Sequence, residues 1–210
     1  MKILVIGSTG RVGLFLTQKL LQENHTVVGT SRHGDRLFES SNYSQINLDL
    51  LRSLEEIKNE IPNDIEAIYF VSGSRGKNLL QVDLDGAIKT MRVAEELGIK
   101  RYIMLSTIFS LAPEKWNEIP NLRDYYLAKF YADQWLMENT ELDYTILQPG
   151  HLKEVKATGK ISVNVSDLGD NAIEDVAETL MELLDKESTF QKVIPIHDGE
   201  TPIKEAISFL

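Results

Sequence analysis

The first thirteen residues constrain the fold most, because a short apolar run passes there directly into a glycine-rich turn. Residues 3–6 form a continuous apolar run, which is typical of a strand buried on both faces. The turn that follows is Gly7-Ser8-Thr9-Gly10-Arg11-Val12-Gly13. Apolar residues then recur at helical spacing, at Val12, Leu16 and Leu20. This order of strand, turn and helix predicts the start of a βαβ unit in a parallel sheet.

The rest of the chain repeats this alternation. Further strands are predicted over residues 27–28, 67–71, 102–105, 144–147 and 193–196. Helical stripes are predicted at Leu50, Leu54, Ile57 and Ile61; at Leu84, Ala87, Ile88, Met91 and Ala94; at Leu127, Tyr131 and Trp135; and at Ile173, Val176, Ala177, Leu180 and Leu184. The pattern predicts an α/β protein, a Rossmann-type three-layer αβα sandwich with a doubly wound, mainly parallel sheet.

Two stretches, residues 110–123 and 151–170, interrupt the alternation and follow predicted strand ends. Open α/β sheets bind ligands at the carboxyl ends of their strands, so we expect these loops to cover a substrate. The length of 210 residues fits one domain, residues 1–210, with the two loops as a small covering region.

Composition narrows the classes of function. The chain has no cysteine, which excludes disulfides and a cysteine nucleophile, and its formal net charge is −10. The sequence has no long basic run of the kind that binds nucleic acid, and it has no apolar run that approaches the roughly 20 residues needed to span a membrane. The four histidines lack the spacing of metal ligands, so no metal site is expected: His25, His33, His151 and His197. These features predict a cytoplasmic protein.

The glycine turn predicts a dinucleotide site. Gly7 allows the tight turn, Gly10 lets the backbone approach a pyrophosphate, and Gly13 permits close packing of the helix. The helix N-terminus offers free N–H groups to phosphate. The alternative is a turn whose glycines serve packing alone.

The end of the second predicted strand bears on the choice of cofactor. An NAD site usually has Asp or Glu there, whereas this chain has Arg32. Arg32, with Arg11 at the same corner, suits the 2′-phosphate of NADP, so we favour NADP, with NAD as the alternative. The alternative is that both arginines are solvated surface charges.

A third signal is Tyr125 and Lys129, which lie four residues apart and therefore share one helix face. A nearby ammonium lowers the pKa of a tyrosine, which suits proton exchange with a carbonyl or hydroxyl group. Ser106 and Thr107 end the preceding strand, where a hydroxyl can bind a substrate oxygen or simply cap the strand.

Several runs in this order give the chain a family resemblance over nearly its whole length. They are the turn at 7–13, Asn47-Leu48-Asp49-Leu50, Val82-Asp83-Leu84-Asp85-Gly86, residues 100–106, residues 143–150 and Asp175-Val176-Ala177. Together they resemble the short-chain dehydrogenase/reductase superfamily, and within it the atypical NmrA-like and biliverdin-reductase-B-like branch.

The resemblance implies roles for individual residues. Those implied to bind the cofactor are Gly7, Ser8, Thr9, Gly10, Arg11, Val12, Gly13, Arg32, Asp49 and Leu50 beside adenine, Val71, Ser72 and Gly73 along the ribose and pyrophosphate, Lys129 at the nicotinamide ribose, and Pro149 and Gly150 beside the nicotinamide. Those implied to be catalytic are Tyr125 as acid/base, Lys129 tuning it, and Ser106 polarising the substrate.

The chain also departs from the family pattern. Gln148 stands where relatives often have Arg, the interval from Ser106 to Tyr125 is longer than in single-domain dehydrogenases, and no sizeable substrate domain follows. The leading hypothesis is an NAD(P)-dependent oxidoreductase that acts on a small carbonyl or unsaturated substrate. The alternatives are a non-catalytic NmrA-like redox sensor and a sugar-nucleotide epimerase-like enzyme. The substrate and the oligomeric state are left open.

Overall fold

The computed structural model describes the chain except His33, Asp35 and Pro120 and the side chain of Glu118. His33, one of the four histidines considered above, and Pro120, in the predicted loop 110–123, therefore lie outside the described residues. The strands are β1 Lys2–Ile6, β2 Thr26–Ser31, β3 Tyr43–Asn47, β4 Ala67–Phe70, β5 Arg101–Leu105, β6 Asp143–Pro149, β7 His151–Lys153, β8 Lys160–Val163, β9 Asp170–Ala172, β10 Lys192–Asp198 and β11 Thr201–Pro202. The α-helices are α1 Arg11–Gln22, α2 Leu54–Glu60, α3 Asp85–Glu96, α4 Arg123–Glu138, α5 Ile173–Glu182 and α6 Ile203–Ser208. A π-helical turn covers Leu79–Leu84, and 3₁₀ turns cover Pro113–Glu118 and Glu187–Thr189.

Nine of the described strands form one sheet in the order β11-β8-β10-β6-β5-β4-β1-β2-β3. Strands β3, β2, β1, β4, β5, β6 and β10 run parallel, whereas β8 is antiparallel to β10 and β11 antiparallel to β8. The order reverses beside β1, between the turn to α1 and the end of β4, which is where such sheets bind ligands. The predicted doubly wound, mainly parallel sheet is confirmed.

The sheet is covered on both faces, which completes the predicted three layers. Side chains of β1 alternate: Ile3 and Val5 pack with α1, α5 and α6, whereas Leu4 and Ile6 pack with α2, α3 and α4. Because both faces are apolar, the strand reads as one continuous hydrophobic run.

One strand was missed, and two expectations about local structure were wrong. Strand β3 was not predicted, because its sequence Tyr43–Asn47 is largely polar, as suits an edge strand. The segment 151–170, expected to be irregular, contains β7 and β8 and reaches β9. On α4 the stripe of Leu127, Tyr131 and Trp135 is not the buried face: Tyr131 is exposed, and the buried face includes Lys129 and Asp133.

Over the described part of the chain, no helix has both the length and the apolar character needed to cross a membrane.

Candidate functional site

The glycine turn links β1 to α1 through close backbone contacts. Gly7 has a φ of 95°, and a Cβ there would lie 2.7 Å from the Ser72 backbone. A Cβ on Gly13 would collide with the Gly7 carbonyl oxygen. Gly10 is the N-cap residue of α1 and offers no side chain as a cap, so the first N–H groups of the helix lack a side-chain acceptor there. The turn thus presents backbone donors at the carboxyl edge of the sheet.

The other residues of the turn fall into two groups. Ser8 is buried and its hydroxyl donates to the Thr30 carbonyl at 2.9 Å, and Val12 is buried in the core. Thr9 and Arg11 are exposed. Arg11 forms an ion pair with Glu154 at 3.4 Å. The side chains of Ser8 and Val12 therefore hold the turn in place.

A cleft of about 430 Å³ opens beside the turn. Nine predicted cofactor residues line it: Gly7, Thr9, Gly10, Arg32, Asp49, Leu50, Val71, Ser72 and Gly73. The exposed Arg32 faces this cleft, and Asp49 is held by a hydrogen bond from the Leu51 N–H at 3.0 Å.

From the loop after β4 the sequence predicted only Val71, Ser72 and Gly73, whereas Ser74, Arg75, Lys77 and Asn78 also line the cleft. The hydroxyl oxygen of Ser74 is buried without a hydrogen-bond partner among the described residues. The Ser74 N–H donates to the buried carboxylate of Asp83 at 3.0 Å, which ties this loop to the π-helical turn. A signal was present, because two basic residues and two glycines follow the carboxyl end of a buried strand.

The predicted catalytic residues Ser106 and Lys129 are buried at the carboxyl end of β5 and do not line that cleft. Ser106 Oγ donates to Asp133 Oδ2 at 2.7 Å. Lys129 Nζ donates to the Leu105 carbonyl at 3.0 Å. Lys129 and Asp133 lie one helical turn apart on α4, so both reach the same strand end.

Two further residues complete this polar cluster, which comprises Ser106, Ser110, Lys129, Asp133 and Gln148. Ser110 Oγ donates to Asp133 Oδ2 at 2.5 Å. Gln148 Nε2 donates to Ser110 Oγ at 2.6 Å and to Asp133 Oδ2 at 3.3 Å. All five side chains are at most 5% exposed. Neither Ser110 nor Asp133 was predicted, because the cluster unites residues from separate elements.

Burial dominates the electrostatics of the cluster. It raises the pKa of Asp133 to about 6, although the donors and the nearby ammonium of Lys129 oppose the rise. It lowers the pKa of Lys129, although the carboxylates of Asp83 and Asp133 oppose that change. Each charged form is thus disfavoured by the loss of water.

The lowering of the Tyr125 pKa by Lys129 stays a prediction, and the surroundings of Tyr125 act in the opposite direction. Burial raises the pKa of Tyr125 to about 12 despite the side chain of Thr107, which favours the ionised phenol, and the charges of Asp83 and Asp133 raise it further. The ammonium of Lys129 donates to the Leu105 carbonyl at 3.0 Å.

Pro149 and Gly150 lie where β6 meets β7. The Gly150 N–H donates to Asn171 Oδ1 at 2.8 Å, and the Pro149 carbonyl accepts from the Ile108 N–H at 2.8 Å. A Cβ on Gly150 would collide with the Gly169 carbonyl oxygen. These contacts hold the segment after β5 at Ile108 and the chain at Gly169 and Asn171 against the end of β6, and neither Pro149 nor Gly150 lines the cleft described above.

The residues present fit a dinucleotide. The cleft combines uncapped N–H groups at the start of α1, the buried free hydroxyl of Ser74 and the cations of Arg32, Arg75 and Lys77. Backbone N–H groups and cations are the donors that bind phosphate.

Comparison with known proteins agrees with this geometry. A family model described as NAD(P)H-binding matches residues 7–187. An uncharacterized sugar epimerase of Bacillus subtilis is 36% identical over 220 residues, covering 100% of both chains. The crystal structure of an oxidoreductase from Lactococcus lactis is 44% identical with a TM-score of 0.96, covering 100% of this chain and 96% of that one.

A more distant structure is a short-chain dehydrogenase/reductase from Veillonella parvula in complex with NADP, which is 15% identical with a TM-score of 0.77 and covers 96% of each chain. At that identity the likeness concerns the fold alone. The family match extends over most of the chain, and the cleft has the donors that a nicotinamide dinucleotide requires. The chain therefore belongs to the NAD(P)H-binding family.

Proposed function

We propose that this protein is an NAD(P)-dependent oxidoreductase that acts on a small carbonyl or unsaturated substrate. The supporting observation is that one edge of the sheet holds both the cleft beside the glycine turn and, at the ends of β5 and β6, the buried polar cluster. A dinucleotide bound in the cleft would lie along that edge. We propose the single domain 1–210, with loops 110–123 and 151–170 covering the substrate.

In this proposal the turn binds the diphosphate through its N–H groups, and Asp49 and Leu50 contact the adenine. Arg32 binds the 2′-phosphate, so the preferred cofactor is NADP. The cations of Arg75 and Lys77 in the same cleft support binding of the extra phosphate. Ser74 donates its free hydroxyl to the ribose or phosphate.

At the reacting end, the bound dinucleotide supplies or accepts a hydride. Tyr125 is neutral at physiological pH, because its pKa is about 12, and therefore serves as the proton donor to a carbonyl oxygen. Lys129 positions the nicotinamide ribose, Ser106 contacts the substrate oxygen, and Pro149 and Gly150 flank the nicotinamide.

Calorimetry with oxidised and reduced NAD and NADP tests the cofactor, and a panel of aldehydes, ketones and quinones tests turnover. Tyr125→Phe should keep nucleotide affinity and reduce kcat by about 100-fold or more. Tyr126→Phe is the matched control, since Tyr126 is the buried neighbour that stacks on Trp116. Full turnover by Tyr125→Phe would reject Tyr125 as the acid. Absence of heat with every nucleotide would reject the whole proposal.

The name of the Bacillus subtilis relative favours a second candidate, an epimerase of sugar nucleotides. Such an enzyme returns its hydride to the substrate, so the protein should purify with a nucleotide that does not exchange. Tight, exchangeable binding without turnover would instead indicate a redox sensor.

A further inference from the structure

The carboxylate of Asp133 is the centre of the polar cluster, and its two oxygens differ. Oδ2 accepts hydrogen bonds from Ser106, Ser110 and Gln148. Oδ1 is buried and has no hydrogen-bond partner among the described residues. An ionised carboxylate only accepts hydrogen bonds, whereas a protonated one also donates. The state of Asp133 therefore decides which way its neighbours can direct their protons.

The two serines differ in how freely their hydroxyl groups can exchange donor and acceptor roles. Ser110 accepts a hydrogen bond from Gln148 Nε2 at 2.6 Å while it donates to Asp133, so both sides of its hydroxyl are engaged. The Ser106 hydroxyl donates its one proton to Asp133, which leaves its lone pairs for other groups. In this arrangement Ser106 can accept a hydrogen bond from a substrate but has no proton to offer.

We propose that Asp133 is a positioning residue that decides whether Ser106 presents a hydrogen-bond acceptor or a donor to the substrate oxygen. With Asp133 ionised, Ser106 directs its proton to the carboxylate and can only accept a hydrogen bond from a substrate hydroxyl. With Asp133 protonated, its O–H donates to Ser106, and the Ser106 proton turns to the substrate oxygen while Tyr125 supplies the proton that is transferred. Because reduction and oxidation pass through the same transition state, this protonated form serves both directions, and in oxidation ionised Tyr125 takes the proton of the alcohol. The inference rests on the proposed function, because it takes Ser106 as the group that contacts the substrate.

The surroundings of Asp133 allow both states near neutral pH. Lys129 on the same helix favours the carboxylate, as do the uncharged donors Ser106 from the end of β5, Ser110 from the following loop and Gln148 from β6. Asp83 in the π-helical turn acts on the same Lys129, and the phenol of Tyr125 senses both carboxylates. Complete burial opposes all of these groups and raises the pKa of Asp133 to about 6.

The first test observes the carboxylate directly and does not depend on turnover. In protein labelled at the aspartate carboxyl carbons, NMR should show one carboxyl that titrates near pH 6 and disappears in Asp133→Asn. Ser110→Ala should raise that midpoint by about one pH unit, because the ionised form loses a donor. A midpoint near the ordinary value of about 4 would overturn the proposal.

The second test follows the consequence for Ser106 in catalysis, with the carbonyl found in the substrate panel and its alcohol product. The kcat/KM for reduction should fall about tenfold per pH unit above the Asp133 midpoint. That for oxidation, which also needs ionised Tyr125, should rise about tenfold per pH unit below the midpoint and level off above it, because the loss of protonated Asp133 there offsets the gain in ionised Tyr125. Ser110→Ala should shift the pH dependence of both kcat/KM values to higher pH by the amount that NMR shows for the Asp133 midpoint, which a purely structural role would not do. If neither pH dependence shifts, the inference is overturned.

Asp175→Asn is the matched control, because Asp175 is equally buried and accepts the N–H groups of Thr158 and Gly159 at 2.8 Å on the other face of the sheet. Asp175→Asn should leave the change of slope at the Asp133 midpoint in place, whereas Asp133→Asn should remove it, and the reverse result would contradict the proposal. Failure of the oxidoreductase proposal would appear separately. The natural protein would then lack nucleotide binding or turnover, although its Asp133 still titrates near pH 6.

Discussion

The glycine turn and the polar cluster lie along one edge of the same sheet but are built in opposite ways. The turn is seven consecutive residues whose backbone groups face an open cleft. The cluster is five buried side chains brought together from β6, α4, and the end of β5 with its following loop. One region depends on the absence of side-chain atoms, and the other on the presence of each hydroxyl, amide and charge.

The difference teaches what each region can tolerate. A turn made of backbone is insensitive to pH, but an added Cβ destroys its geometry where backbone atoms touch. A cluster of buried polar side chains keeps its backbone through conservative substitutions, but the protonation of one carboxyl changes its hydrogen bonds. Mutations and pH should therefore separate the two regions.

The largest effect is expected from Gly13→Ala. Its Cβ would collide with the Gly7 carbonyl oxygen and lie 2.9 Å from Ser8 Cα, so the turn cannot keep its form. We expect a loss of about 4 kcal/mol or more in the free energy of unfolding, with loss of nucleotide binding. Urea unfolding and calorimetry measure the two effects.

Gly10→Ala is the control within the same turn. Its Cβ would meet the Gly7 carbonyl oxygen at 3.1 Å, and its φ of −77° suits alanine. We expect a stability change of about 1 kcal/mol or less but at least a tenfold loss of nucleotide affinity, because the backbone approaches the pyrophosphate there. Normal nucleotide binding by Gly10→Ala would show that the diphosphate does not bind at the glycine turn.

The next effect belongs to the cluster and is a dependence of stability on pH. The pKa of Asp133 is raised from 3.8 to about 6, so the folded state holds this proton more tightly than the unfolded state. Its stabilising contribution is therefore complete below pH 4 and lost as pH rises through about 6. Relative to Asp133→Asn, the natural protein should lose up to about 3 kcal/mol between those values.

Urea unfolding over this pH range checks the loss. Asp175→Asn, measured beside it, corrects for the cost of removing any buried carboxylate. A difference between natural protein and Asp133→Asn that stayed constant with pH would mean that folding leaves the pKa of Asp133 unchanged.

The two regions also differ in how far the sequence predicts them. Gly7, Gly10 and Gly13 signal the turn because the whole motif is local, and the alternating patterns of strands and helices predict the sheet. Asp133 escapes such reading because nothing at its position distinguishes it from a solvated helix residue until α4 is packed against β5 and β6. The predicted stripe on α4 through Leu127 failed for the same reason, since the buried face of that helix is partly polar.

A smaller effect should distinguish the two arginines near the turn. Arg32 lines the cleft, whereas Arg11 pairs with Glu154 outside it. Arg32→Glu should weaken NADP binding by about tenfold, the loss of one charge-assisted contact at an exposed site, and leave NAD affinity nearly unchanged. Calorimetry with both nucleotides checks this. Arg11→Glu is the control, and an equal loss in both variants would show only a general effect of charge.

The smallest expected effect is the absence of a change, and it tests whether the cluster acts on Tyr125. The phenol should remain protonated up to about pH 11, because its pKa is about 12 and Lys129 donates to the Leu105 carbonyl. Ultraviolet titration of the natural protein minus Tyr125→Phe isolates this one group. Lys129→Met should leave its midpoint unmoved, because the Lys129 ammonium is engaged with the Leu105 carbonyl. A tyrosinate forming below about pH 10, and lost in Lys129→Met, would mean that Lys129 turns to Tyr125 in solution. The cluster would then set the pKa of the proton donor directly. The proton that the reaction transfers would depend on the buried side chains of the cluster and not on the glycine turn.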